Sequence, residues 1–334
     1  QINTKRKNMK IIIYLMLILI LLSCSNKKSQ SVSNTNNLKE VSAHSEKILE
    51  YYYDNENQKK LTDTILFRFG NDYGIHLKAK INKSDTLDFL FDTGANAIVI
   101  TSNLIGEKVN LKLDGKIENN GSDGTQIIET SSSNKLEINN LNWDDIKLLS
   151  IDYEEPDFDG VLGWIAFENK IIEIDYDKSR LIIHKSKATI PKGYSKIKTK
   201  MIDGVPYIKG TIRTENKISS GWFEYDSGYN GSFILSQKFA SENDLNRIMK
   251  KIGTSVSSGS SGIESKSNDY ILPELQFGKY KLLNVPLSIS ETDPEGIENN
   301  DILGNNLLKR FNAIIDLQDF EIYLKPNSLL NSEY

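Results

Sequence analysis

Asp92 and Asp226 sit in two copies of one short pattern: an apolar strand, Asp-Thr/Ser-Gly, then a second apolar strand. The first copy is Phe89-Leu90-Phe91-Asp92-Thr93-Gly94-Ala95-Asn96-Ala97-Ile98-Val99-Ile100. The second is Trp222-Phe223-Glu224-Tyr225-Asp226-Ser227-Gly228-Tyr229-Asn230-Gly231-Ser232-Phe233-Ile234-Leu235. A carboxylate between buried strands is costly unless it is hydrogen-bonded or paired. Doing this twice with one turn chemistry implies that the two carboxyls meet. At close range both cannot ionise easily, and a pair sharing one proton sets an acid beside a base. A single Asp-Thr/Ser-Gly is an ordinary turn in which Gly supplies the special backbone angle. The repeat carries the weight.

Further blocks keep the same order. Gly74-Ile75-His76-Leu77-Lys78-Ala79 answers Gly204-Val205-Pro206-Tyr207-Ile208-Lys209, and Asp159-Gly160-Val161-Leu162-Gly163 answers Asn300-Asp301-Ile302-Leu303-Gly304. Lys170 to Tyr176 then answers Phe311 to Leu317. The aspartates are 226 − 92 = 134 apart, the later glycines 304 − 163 = 141, and Asp175 and Asp316 again 316 − 175 = 141. Four colinear blocks at nearly constant offset indicate an internal duplication. The period is too long for a solenoid, so each copy is a lobe.

With these blocks in view, the chain resembles the pepsin-like aspartic proteases. In both, each lobe carries Asp-Thr/Ser-Gly followed by a hydrophobic-hydrophobic-Gly segment. The Asp-Thr-Gly-Ala form is also similar to the retroviral proteases, which build one site from two identical chains. The resemblance covers roughly residues 61 to 326. It implies an all-β, bilobal pepsin-like acid protease fold: two homologous β-barrel-like lobes, 61–192 and 193–334, with a cleft between them. It implies an aspartic endopeptidase, working as a monomer on peptide or protein substrates through a water activated by Asp92 and Asp226. No metal, other cofactor or covalent intermediate is needed. Gly163 and Gly304 would let each turn pass close to its own lobe's later strand. Gly94 and Gly228 would run backbone N–H groups beside the carboxylates. Thr93 and Ser227 would each bond the opposite turn. Two other readings stay open: a catalytically inactive relative binding peptide or glycan in the cleft, and a homodimer working through Asp92.

Two departures from the family pattern stand out. Glu224 occupies a place where a buried strand is normally apolar; alternation with Phe223 and Tyr225 turns it to solvent, or else it disturbs the dyad. Ala95 and Tyr229 follow the two glycines where many acid-active pepsins carry a hydroxyl residue that stabilises the ionised dyad. Their absence predicts a higher dyad pKa and activity reaching toward neutral pH. A covering hairpin is expected over Ile117 to Thr130, with turn signals in Asn120-Gly121-Ser122-Asp123-Gly124; the tyrosine usual in a pepsin flap is not there. Its second-lobe counterpart is the Ser/Gly run Ser255 to Ile263, and for either segment an ordinary surface loop is the competing reading.

The leader speaks to location. Lys5, Arg6, Lys7 and Lys10 precede an apolar run from Ile11 to Leu22, followed by Ser23-Cys24. Its length suits a signal-peptide core and is short for a membrane span. Leu21-Leu22-Ser23-Cys24 looks like a bacterial lipobox, with Leu at the second position a less usual choice. Cys24 is the chain's single cysteine, and lipidation of its sulfur would anchor the protein to a membrane of the bacterial cell envelope, on a periplasmic or surface face. A plain secretory signal is the alternative. Residues 25–60 read mostly as a flexible polar tether, with Glu46 to Asp54 a helical turn or a first strand.

Other chemistries fit poorly. His44, His76 and His184 are far apart and read as unremarkable, the latter two as strand residues at a sheet surface. One cysteine excludes a thiolate zinc site. The acidic run Glu154 to Gly160 begins like a calcium loop, but its twelfth position is Ala166 and a solvated turn suits it better. A net charge of −4 and a pI near 5.6 argue against nucleic acid as a partner. Strands are expected at Ile65–Phe69, Leu87–Phe91, Lys170–Ile174 and Arg180–His184, with short helices at Leu235–Phe239, Asn246–Lys251 and Asn306–Phe311.

Overall fold

Alternation of apolar and polar residues sets the strands. In Ile75–Ile81 the side chains of Leu77, Ala79 and Ile81 are buried while Lys78 and Lys80 are exposed, the period-two pattern of a half-buried strand. The computed structural model describes residues 62–70, 72–154, 156–184, 189–293 and 301–334. The leader, Cys24, the tether and the segment Glu46 to Asp54 lie outside the described residues. Among those described, no helix is long and apolar enough to cross a membrane.

The fold is all-β and bilobal, with each lobe built on an eight-stranded sheet. In the first lobe the order is Arg68–Phe69, Ile75–Ile81, Leu87–Asp92, Gly160–Gly163, Ile98–Thr101, Leu141–Ile151, Gly124–Ile138, Gly115–Gly121. In the second it is Thr199–Ile202, Val205–Arg213, Ile218–Tyr225, Ile302–Leu303, Phe233–Leu235, Tyr280–Ser290, Ser265–Phe277, Gly253–Ser257. The two orders match position for position. Each sheet also curls on itself through one further pairing, Ile75–Ile81 with Gly124–Ile138 and Val205–Arg213 with Ser265–Phe277.

A third, six-stranded sheet draws on both lobes. Its central pair is Ile171–Asp175 against Phe311–Asp316, antiparallel. Glu173 lies opposite Ile314, and 314 − 173 = 141 is the offset of the duplication itself. These two equivalent residues face each other, so a local twofold passes through this pair. Ile172 and Ile315 are opposite one another and are 0% and 2% exposed.

The strand expectations hold with small shifts: Ile65–Phe69 is two short strands, and Arg180–His184 is one. Each of the three expected helices overlaps an observed one, with shifted bounds. Leu235 ends the strand Phe233–Leu235, and the helix Gln237–Glu242 starts after Ser236, whose hydroxyl accepts the Phe239 N–H. That cap sets the boundary. Among the described residues the other α-helices are Leu245–Ile248 and Asn305–Leu308, while Phe311 already belongs to a strand.

Ile172→Ala and Ile315→Ala should each cost about 2–5 kcal/mol of stability in urea unfolding. The double variant should depart from additivity by about 0.5 kcal/mol or more, because the two face each other. A negligible loss in both single variants would contradict the central sheet as drawn.

Candidate functional site

Each aspartate ends or follows a strand of its own lobe. Asp92 is the last residue of Leu87–Asp92, and Asp226 follows Ile218–Tyr225 directly. In each lobe this strand runs parallel to the hydrophobic-hydrophobic-Gly strand: Asp92 lies beside Gly163, and Tyr225 beside Leu303. A Cβ on Gly163 would collide with the carbonyls of Ala95 and Ala97, and one on Gly304 with those of Tyr229 and Gly231. Both glycines are thus demanded by close approach of backbone.

The two turns grip one another. Thr93 Oγ1 donates to the Tyr225 carbonyl at 2.6 Å and accepts the Ser227 N–H at 2.9 Å. Ser227 Oγ donates to the Phe91 carbonyl at 2.9 Å and accepts the Thr93 N–H at 3.1 Å. Both side chains are fully buried. Each carboxylate is also cradled by its own turn: Asp92 Oδ1 accepts the N–H of Gly94 (2.7 Å) and Ala95 (3.1 Å). Asp226 Oδ1 accepts the N–H of Gly228 (2.7 Å) and Tyr229 (3.1 Å).

The grip brings the carboxyls together. A Cβ on Gly94 would lie 2.8 Å from Asp226 Cγ, and one on Gly228 would lie 2.5 Å from Asp92 Oδ2. The two aspartates share a hydrogen bond. Burial, then the Asp226 charge, hold the Asp92 carboxyl well above its ordinary 3.8. Burial also raises Asp226, but there the bond from Asp92 and the N–H groups of Gly228, Tyr229 and Gly94 oppose it. Burial thus raises both carboxyls, and two so close hold one proton between them, which belongs to the pair.

Glu224 does not turn away to solvent. Its Oε2 accepts the Tyr207 hydroxyl at 3.1 Å, and a Cβ on Gly94 would lie 2.7 Å from its Oε1. The alternation argument fails because residues two apart on a strand share a face, and here that face is the one carrying Asp226. Burial and the Asp226 charge push its carboxyl up to about 8.

The two covering segments meet. The hairpin of Gly115–Gly121 and Gly124–Ile138 places Asp123 at its tip, against the second-lobe loop. Asp123 accepts the N–H groups of Gly259 (2.8 Å), Ser261 (3.0 Å) and Ile263 (2.9 Å). Asn119 donates to Ser260 Oγ at 3.0 Å, and Gln126 to the Ser260 carbonyl. Burial, then the charges of Asp92 and Asp123, hold the Tyr153 hydroxyl above the ordinary tyrosine range, and its ring packs edge-on against Phe158. Tyr153, Tyr207 and the Asp123 clasp were not apparent from the motifs; only the turn signals at 120–124 pointed toward the last.

His76 also corrects its sequence reading. It is buried, not at a sheet surface, with Nε2 3.1 Å from Asp72 and Nδ1 3.5 Å from Asp88. Asp72, His76 and Asp157 bring possible ligand atoms within 4.8 Å of one another, but the imidazole and the Asp72 carboxylate are already committed to each other and to the Gly74 N–H. His184 is half-buried, with Nε2 3.2 Å from Glu173.

Residues 77–165 match the aspartyl protease family model. The matched stretch holds Asp92, Thr93, Gly94 and Gly163, and it supports an aspartic protease. No curated protein matches the chain.

Thr93→Val strips partners from the Ser227 N–H and the Tyr225 carbonyl, and should cost about 1–3 kcal/mol for each group left buried and unsatisfied. Denaturant unfolding measures this, and a loss below about 0.5 kcal/mol would contradict the grip. Asp123→Ala should speed amide exchange of Gly259, Ser261 and Ile263 about tenfold or more; unchanged exchange would mean the clasp does not hold in solution.

Proposed function

We propose that the protein is an aspartic endopeptidase in which Asp92 and Asp226 form the catalytic dyad. The observation that carries this is the reciprocal Thr93–Ser227 hydrogen-bonding that sets two buried carboxyls side by side. The ionised member of the pair draws a proton from a water as it attacks the scissile carbonyl. The protonated member polarises that carbonyl and later supplies the proton that the leaving amine requires. Thr93, Ser227, Gly94, Gly228, Gly163 and Gly304 position the pair without touching substrate atoms. The two lobes of one chain supply both halves, so the working unit is a monomer. The cleft under the Asp123 clasp takes the peptide, and a lid over such a site excludes water from the reaction.

Burial raises both aspartates, so the one-proton state extends toward neutral pH. Cys24, after its apolar run, anchors the body to a membrane of the bacterial cell envelope by a lipid on its sulfur. Residues 25–60 then serve as the tether, and the lobes occupy 61–192 and 193–334.

Cleavage of a mixed peptide library from about pH 3 to about pH 8 tests the chemistry. The wild type should cut best above about pH 4, and Asp92→Asn and Asp226→Asn should each lose about a hundredfold or more. Cleavage that survives both substitutions would overturn the dyad, and none at any pH would favour a protein that binds peptide or glycan in its cleft. Separately, fatty-acid labelling in a bacterial host should mark the wild type and spare Cys24→Ser; equal labelling of both would remove the anchor.

A further inference from the structure

The duplication breaks at one position that changes the charge of the site. The residue two before the aspartate is Leu90 in the first lobe and Glu224 in the second, and 224 − 90 = 134 is the offset of the aspartates themselves. Each lies on the face of its strand that carries the aspartate. Glu224 is fixed from both ends. Its strand partner Tyr207 donates to Oε2, while Oε1 lies against Gly94, where Asp226 Cγ also approaches. Among the described residues, the groups that act on it are Asp226 and the Tyr207 hydroxyl, neither a cation.

Resting on the protease reading above, we propose that Glu224 is a positioning residue for the dyad's proton. It is a third carboxyl that, held by Tyr207 and facing Asp226, opposes a second negative charge on the aspartates and carries the one-proton state to higher pH. Among the described residues, acids and tyrosines surround it. The two turns present Asp92 and Asp226, and the strand Val205–Arg213 presents Tyr207. Asp301 and Asp203 act on Tyr207 from beyond it. Tyr229, whose N–H donates to Asp226, has its hydroxyl pushed up to about 12, and the Tyr153 hydroxyl is raised by burial and by the Asp92 charge. None of these brings a positive charge. The Glu224 charge is itself among the influences that raise Asp92.

The sign follows directly. An ionised Glu224 makes loss of the last dyad proton harder, so neutralising it lets that proton leave at lower pH. Glu224→Gln keeps the shape and can still accept from Tyr207; Glu224→Leu copies the first lobe. With a peptide found in the library, kcat and KM are measured from about pH 4 to about pH 9. Both variants should keep kcat at the acid end within about threefold, while the alkaline limb falls by about one pH unit, a tenfold loss there. A limb that stays in place overturns the proposal. So does a loss of activity equal at every pH, which is what a merely structural residue would give.

Infrared titration of the protonated-carboxyl band in the full-length protein and in Glu224→Gln reads the same coupling without cleavage. The wild type should hold a carboxyl that titrates near the value of about 8 given by its surroundings. The variant should lose that band, and its remaining buried carboxyl should titrate lower. If these bands behave so while nothing is cleaved, the protease reading fails and the three-carboxyl coupling stands. If the remaining carboxyl titrates unchanged, the coupling fails whatever is cleaved.

Discussion

Everything in this molecule depends on holding two acids together out of water. Left alone, one buried carboxylate is expensive and two are more so. The structure meets that cost with donors: two backbone N–H groups for each carboxylate and a shared proton between them. Those N–H groups point correctly only while the two turns are locked, and Thr93 and Ser227 are the lock. Their hydroxyls satisfy backbone groups of the opposite turn, so neither turn can shift without leaving buried partners unpaired on both sides.

The larger architecture keeps that lock in register. Gly163 and Gly304 let each turn press against its own lobe's later strand. The six-stranded sheet then joins the lobes through Ile171–Asp175 and Phe311–Asp316, in which the equivalent residues Glu173 and Ile314 face one another. Trp164 adds a direct tie, its indole N–H donating to the Gly204 carbonyl at 2.9 Å. Rigid elements below and a clasped hairpin above leave the carboxyl pair between them.

Much of this was written in the sequence because duplication makes constraints visible twice. Asp92 with Asp226, Thr93 with Ser227, and Gly163 with Gly304 each recur at a fixed offset, and backbone crowding admits few other residues there. What the sequence concealed depends on pairing across the fold. The orientation of Glu224 follows from sharing a strand face with Asp226, and alternation with its immediate neighbours pointed the wrong way. Tyr207 meets Glu224 only through strand register, which a turn several residues away decides. Asp123 reaches its three N–H groups across more than 130 residues of chain, a contact no local pattern announces. The burial of His76 was hidden for a similar reason: its acidic partners Asp72 and Asp88 lie on neighbouring segments.

The most direct test of the shared-proton pair is stoichiometric. A statine-type compound places a hydroxyl where the attacking water would sit between the two carboxyls, so calorimetric titration of the protein with such an inhibitor counts sites. One inhibitor bound per chain, with binding lost in Asp92→Asn and in Asp226→Asn, is the predicted result. One inhibitor per two chains would mean that the site is assembled between copies, and no binding would mean that the two carboxyls do not form this site at all.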